Sequence, residues 1–180
     1  MKAALDLVDE ARHDGSSLER LIAEVWPQAY RLAFSILHDR GLAEDAAQEA
    51  CASIARALPA LRVPATFPSW SYRIVVNRAL STARKRPSCQ PLEAADSGAA
   101  VDPSGDLDMR AALAKLTVRQ RAIVLLHYYA GFRSSEIAEA VGVPPTTVRF
   151  HLMTARRALQ RALTEPQRRG VSQEVLPHAR

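Results

Sequence analysis

The sequence predicts an all-α protein of two small helical domains joined by a flexible acidic linker. Apolar residues recur at spacings of three and four along most of the chain, the period of amphipathic helices. The composition is 48% apolar but only 6% aromatic, with Ala and Leu dominant, which suits close-packed helices and not a β-rich fold. One stretch, 87–107, breaks the period with Pro87, Ser88, Pro91, Ser97, Gly98, Pro103, Ser104 and Gly105, the punctuation of a linker. The expected divisions are a loose polar leader over 1–15, a first domain over 16–86, the linker over 87–107, a second domain over 108–166 and a frayed tail over 167–180.

In the first domain, Leu18, Leu21, Ile22, Val25, Ala29, Leu32, Ala33 and Ile36 form one helical stripe, in which Pro27 should make a kink or a new start. The run His38-Asp39-Arg40-Gly41 reads as a turn with Gly41 as the helix stop. A second helix over 42–58 separates into two faces. Ala47, Cys51, Ile54 and Leu58 point to the core, with Cys51 a small buried hydrophobe, and Asp45, Gln48, Glu49, Ser53 and Arg56 point away. Pro59, Pro64 and Pro68 mark a loop. A third helix over 69–85 then carries Trp70, Ile74, Val75, Ala79 and Leu80 on its apolar side, and its basic residues are Arg73, Arg78, Arg84, Lys85 and, just beyond, Arg86.

The linker has no Lys or Arg between Gln90 and Asp108, whereas Glu93, Asp96, Asp102, Asp106 and Asp108 make it acidic. An acidic tether therefore joins two basic modules. Beyond it, Met109, Leu113 and Leu116 predict one helix and 119–129 another, ended by Gly131. A short helix over 134–141 takes Ser134 or Ser135 as its N-cap. Gly142-Val143-Pro144 is a tight turn that needs positive φ at Gly142. Pro145 opens the last helix, over 145–163, where its missing N–H costs nothing.

That last pair of helices is the most informative feature. Ala138 lets the second helix cross closely, and Ile137, Val143 and Val148 fill the angle, the spacing of a DNA-binding helix-turn-helix. Val148, Leu152, Ala155, Leu159 and Leu163 make the inner stripe of the second helix. Thr146, Thr147, Arg149, Phe150, Met153, Thr154, Arg156 and Arg157 are left outside, where Arg suits phosphates or guanine edges and Thr, Phe and Met suit thymine methyls.

Several function classes drop out. No paired carboxylates, nucleophile–base set, phosphate loop or metal cluster is found, so neither catalysis nor a cofactor is expected. The five histidines (His13, His38, His127, His151 and His178) are scattered without ligand spacing. Cys51 and Cys89 make neither a disulfide framework nor a zinc site, and suit a reducing cytosol. No signal peptide and no run of eighteen apolar residues occurs, so the expected location is the cytoplasm, without a membrane span. The net charge of +5 suits a polyanionic partner.

Over about 16–86 and 107–163 the chain resembles the extracytoplasmic-function (ECF) group of sigma-70 RNA polymerase sigma factors, with its halves similar to regions 2 and 4 of that family. Three motifs carry the resemblance. Ala43-Glu-Asp45-Ala-Ala-Gln48-Glu49 is similar to the acidic region 2 helix, which implies that Asp45, Gln48 and Glu49 bind the clamp helices of the β′ subunit. Phe67-Pro-Ser-Trp70-Ser-Tyr72-Arg73-Ile74-Val-Val-Asn77-Arg78 is similar to the promoter-melting segment. It implies −10 DNA contacts from Arg62, Thr66, Phe67, Arg73, Asn77 and Arg78, with the loop 62–67 capturing a flipped base. Residue by residue, Trp70 reads as a core anchor, Phe67 equally as core or base contact, and Arg73 equally as a surface brace or a phosphate contact. The helix-turn-helix, preceded by Leu116-Thr-Val-Arg119-Gln120-Arg121, is similar to region 4, which implies −35 contacts from the eight outer residues named above.

The implied partners are core RNA polymerase (β′ clamp helices and β flap), promoter DNA and an anti-sigma factor, with the chain monomeric when free of polymerase. Departures fall at Ser81, where the family often has an acidic residue, at the apolar Val63-Pro64-Ala65 loop, and at Phe150, His151, Met153 and Thr154, so they bear on promoter sequence. Two rivals remain from the sequence. One is a LuxR-like dimeric regulator that reads a palindrome without polymerase. The other is a sigma-like protein that has lost initiation and only binds partners.

Overall fold

The structure, a computed structural model, describes residues 2–85 and 112–171, with side chains over 6–85 and 112–161. The described residues form helices joined by short turns and loops, with no strand among them. In chain order the helices are α1 (Lys2–Glu10), α2 (Gly15–Leu37), α3 (Arg40–Ala57), α4 (Phe67–Lys85), α5 (Val118–Tyr128), α6 (Ser134–Val141) and α7 (Pro145–Val171). Two 3₁₀ turns, Leu58–Ala60 and Pro64–Thr66, fill the proline loop between α3 and α4, and a helical turn at 112–114 precedes α5.

The helix starts follow local chemistry. Asp14 caps α2 by accepting the Ser17 amide at 2.8 Å, and Asp39 caps α3 by accepting the Leu42 amide at 3.0 Å. Thr117 and Gln120 form a reciprocal capping box on α5: the Gln120 amide donates to Thr117 Oγ1 at 3.3 Å, and the Thr117 amide to Gln120 Oε1 at 3.0 Å. Gly142 takes φ 67° at the end of α6, as the sequence requires, and Gly131 takes φ 73° beyond α5.

Five expectations are corrected. The leader is not loose: Leu7 and Val8 of α1, with Ala11 just beyond it, pack into a cluster with Leu21, Ile54, Leu58, Leu61 and Phe67. Two helical turns are too short for periodicity to announce them. α2 runs through Pro27 as one helix; Ala23, whose carbonyl would have received the missing N–H, is exposed, so that carbonyl is not stranded in an apolar interior. Gly41 is not a stop but lies in the first turn of α3, and His38 supplies the left-handed residue at φ 54°. Neither serine caps α6. Arg133 does, and its amide donates to Glu136 Oε2 at 2.7 Å. α7 continues to Val171, beyond the expected end at 163 and into the expected tail. The linker 87–107, Arg86, Cys89, Met109, the residues beyond 171 and the side chain of Leu163 lie outside the described residues.

α2, α3 and α4 form the N-terminal bundle. Ala43, Ala46, Ala47 and Ala50 of α3 are fully buried, and these small side chains bring the three helices close together. Cys51 is buried as expected, and desolvation pushes its thiol pKa up. In the C-terminal domain, Leu116, Val124 and Ala155 join α5 to α7. The two domains are in contact. One cluster runs from Ala33 and Ile36 of α2 through Val76 and Ala79 of α4 to Ile123 and Leu126 of α5 and Ile137 and Val141 of α6.

Candidate nucleic-acid interface

The helix-turn-helix is built as its spacing requires. Ile137 and Val148 are fully buried in the angle between α6 and α7, and Ala138 is buried at the crossing. The Gly142 and Val143 amides both donate to the Ala138 carbonyl, at 3.0 and 3.2 Å, which closes the turn. On α7, Thr146, Arg149, Phe150, Met153, Arg156 and Arg157 are exposed, whereas Thr147 and Thr154 are half-buried. Phe150 is 60% and Met153 45% exposed, so two large apolar side chains sit in water among arginines. Such a face suits the methyl-bearing edge of a major groove.

A second basic surface lies on the N-terminal bundle. Ser53, Arg56 and Ala57 of α3 and Trp70, Ile74, Asn77, Arg78, Ser81 and Arg84 of α4 line an open groove of about 650 Å³. Three guanidiniums border a floor that includes an indole, a combination suited to stacked, unpaired bases on a phosphate backbone. Of the predicted −10 residues, the structure brings only Asn77 and Arg78 into this groove. Arg62 and Thr66 are exposed in the preceding loop, with the Thr66 hydroxyl donating to the Val63 carbonyl at 2.7 Å. Phe67 is buried against Trp70, ring centroids 5.9 Å apart, and presents no free face to a base. Arg73 turns toward the other domain and pairs with Glu139 of α6 at 2.6 Å, the brace option. Arg56 and Arg84 are the groove arginines not assigned to DNA from the sequence. Their signal was a basic residue on the outer face of each neighbouring helix, at positions that α3–α4 packing brings together.

Asp45, Gln48 and Glu49 are exposed together on α3, opposite the alanine stripe. Glu49 also approaches Arg78 Nη1 at 3.9 Å and Lys85 Nζ at 3.8 Å, so the acidic face and the basic groove share an edge. Among the described residues no group of His, Cys, Asp and Glu could hold a metal ion. No described helix is long and apolar enough to cross a membrane.

Comparison with known proteins gives these surfaces their context. Residues 21–88 match Sigma-70 region 2 and residues 106–159 match Sigma-70 region 4. The chain is 33% identical over 174 residues to ECF RNA polymerase sigma factor SigM of Mycobacterium tuberculosis, covering 84% of this chain and 87% of the relative. The chain belongs to the sigma-70 family, ECF group. To RNA polymerase sigma factor SigV of Bacillus subtilis this sigma factor is 30% identical over 140 residues, covering 76% of this chain and 84% of the relative. Two solved structures share the fold. They are the sigma factor RpoE of Bartonella quintana with the anti-sigma factor NepR (TM-score 0.65, 24% identity, 81% of this chain and 96% of that one) and CnrH with the cytosolic domain of CnrY (TM-score 0.62, 22% identity, 91% and 98%). As an ECF sigma factor the chain is a promoter-specific initiation factor. The region 2 match leaves no N-terminal sensor domain of the LuxR-like kind over residues 21–88.

Proposed function

We propose that the sigma factor divides its work among three surfaces. The outer face of α7 enters the −35 major groove through Thr146, Arg149, Phe150, Met153, Arg156 and Arg157, flanked by Thr147 and Thr154. The α3–α4 groove takes the unpaired −10 strand, with Arg56, Arg78 and Arg84 on phosphates, Trp70 and Ile74 beneath the bases and Asn77 as the polar reader. Asp45, Gln48 and Glu49 dock on the basic β′ clamp helices of core polymerase, where complementary charge steers association. The observation that carries this reading is the arginine-bordered groove of about 650 Å³ with Trp70 in its lining, set edge to edge with the acidic face of α3. A factor docked through α3 holds the groove at the polymerase surface, where the strand is opened. The protein acts by binding and positioning, in the cell interior where polymerase works.

Run-off transcription with core polymerase from a genomic fragment library tests the whole reading. Asp45→Ala with Gln48→Ala is expected to weaken core binding and leave duplex −35 binding intact; Glu49 stays because it also touches Arg78. Arg56→Ala with Arg84→Ala is expected to leave core binding intact and to lower open-complex formation, with a shallower salt dependence. No transcript together with no complex with core overturns the reading. A complex with core that never transcribes favours the rival that has lost initiation.

A further inference from the structure

α1 lies outside the segment that matches region 2, which begins at residue 21, yet it packs where the proline loop leaves the N-terminal bundle. Val8 is 2% and Leu7 6% exposed, and both cluster with Ile54, Leu58, Leu61 and Phe67. Leu61 and Phe67 flank the loop. At its start the Leu61 amide donates to the Leu58 carbonyl at 2.9 Å. At its end the Phe67 amide donates to the Pro64 carbonyl, and the Thr66 amide and hydroxyl both donate to the Val63 carbonyl, at 3.0 and 2.7 Å. Ser69 Oγ donates to the Thr66 carbonyl at 2.9 Å, which ties the turn to α4. The loop backbone is thus fastened at both ends to residues whose side chains share a cluster with α1, and α1 itself lies against the Pro64–Thr66 turn.

The seat of Phe67 is not made by the rest of the bundle alone. Beside the ring, Val8, Leu21, Val25, Ser71 and Val75 line a cavity of about 200 Å³. α2 and α4 therefore leave the ring room to shift, and Val8 is the wall that α1 adds. A shift of the ring carries its own amide and, through the Pro64 and Val63 carbonyls, the whole turn. Between the fastened ends, Arg62, Val63, Ala65 and Thr66 are exposed. A loop that reads one base must hold its groups to within about 0.5 Å, so whatever fixes its ends sets its selectivity. α1 does not itself grip DNA: its outward residues Asp6, Asp9 and Glu10 are acidic and would repel phosphates.

We infer that α1 is a positioning element for −10 recognition: Leu7 and Val8 hold Leu61 and Phe67, and through them set the shape in which Arg62–Thr66 meets a flipped base. This rests on the −10 reading of that loop. The basic α3–α4 groove supplies affinity for the strand and the loop supplies the choice of base, so α1 acts on the choice and not on the affinity.

The test uses the full chain bound to core polymerase and fluorescent single strands that carry the −10 segment of a transcribed promoter, each position occupied in turn by each of the four bases. Leu7→Ala with Val8→Ala is compared with the parent and with Leu7→Met with Val8→Ile, which keeps the bulk. Circular dichroism verifies the fold, and Val8→Ala alone takes the place of the double variant if that one does not fold. The readout is the ratio of affinities for the best and worst base at the most selective position, which a smaller folded fraction does not move. In the parent this ratio is about tenfold or more, the effect of one mismatched position. In the alanine variant it is expected to fall at least about threefold, while affinities for a random-sequence single strand, for core and for −35 duplex stay within about twofold. The bulk-keeping variant retains the parental ratio. A parental ratio in the folded alanine variant overturns the inference, as does an equal loss in the bulk-keeping one. A parent that prefers no base at any position overturns the −10 reading, and the inference with it.

Discussion

Replacing Arg121 with Met is the most direct probe of how the two domains hold each other. The side chains have comparable length, so packing is largely kept and the change falls on the hydrogen bonds. Arg121 Nε and Nη1 serve the Ile36 and Leu116 carbonyls at 2.6 and 3.1 Å, and a third approach, to the Ala114 carbonyl, is long at 3.4 Å. Leaving a buried acceptor unserved costs about 1–3 kcal/mol, so stranding both the Ile36 and Leu116 carbonyls costs about 2–6 kcal/mol. Against this stands the relief of burying one cation fewer. No carboxylate neutralises Arg121 in these hydrogen bonds, and desolvation pulls its pKa down to about 10. The net expectation is a destabilisation of about 2–3 kcal/mol. At about 2–4 °C per kcal/mol for a chain of this size, the melting temperature falls by roughly 4–12 °C. Scanning calorimetry adds a qualitative sign. The shared core couples the domains into one transition in the parent chain, and Arg121→Met is expected to split it in two. Arg121→Lys keeps the charge but has one nitrogen for two carbonyls and should fall between. An unshifted, single transition in Arg121→Met would refute this interdomain role of Arg121.

Phe67→Ala should cost about 3–5 kcal/mol in denaturant unfolding, because the ring is buried against Leu7, Val8 and Trp70, while its folded fraction binds single-stranded DNA like the parent; intact stability with lost binding would restore the base-contact role. Gly142→Ala should destabilise by about 1–2 kcal/mol although nothing lies within 4 Å of the added Cβ, since the cost is φ 67° alone, and urea unfolding with an unchanged midpoint would contradict this. The Ser16 hydroxyl, then the Ser17 amide, hold the Asp14 carboxyl pKa at about 2 against an ordinary 3.8. This carboxylate is more acidic in the folded chain than in the unfolded one, so its contribution is full above about pH 4 and fades as pH falls toward 2. The parent should therefore melt above Asp14→Ala at pH 5 and converge with it near pH 2, and a gap that does not narrow would exclude the capping charge.

Those outcomes turn on residues whose roles were unequally visible in the sequence. The helix-turn-helix was readable because its constraints are local: Ala138, Gly142 and Pro145 answer to chain geometry within eight residues, and all three sit where that geometry needs them. The Ala47, Cys51, Ile54 and Leu58 stripe of α3 and the outward Asp45, Gln48 and Glu49 followed from one helical period, but the burial of Ala43, Ala46 and Ala50 did not, since it depends on how closely α2 and α4 approach. Phe67 did not resolve, since an aromatic before a helix serves a core or a base equally well, and only the distant Leu7 and Val8 decide for the core. Arg121 was invisible as a functional residue. A buried arginine looks like any surface arginine until a carbonyl 85 positions earlier comes within reach.

α4 carried a sign of its contact with the C-terminal domain that periodicity alone leaves ambiguous. At about 100° per residue, the side chains on the bundle side (Phe67, Ser71, Val75 and Ala79) span roughly the first third of the helix surface. Tyr72, Val76, Leu80 and Ala83 continue the apolar arc to roughly 220° in all, far wider than one packing partner needs. The remaining third holds Trp70, Asn77, Ser81 and Arg84, and it is the open groove. A helix on the surface of a three-helix bundle buries one stripe, so the excess arc calls for a second partner. Val76 sits on the same stripe as Tyr72, Leu80 and Ala83, and it is fully buried. Tyr72 meets Tyr129, and Leu80 and Ala83 face Val118 and Val141. The second partner is therefore region 4. That packing keeps Val76 out of water altogether and leaves Leu80 only half-buried.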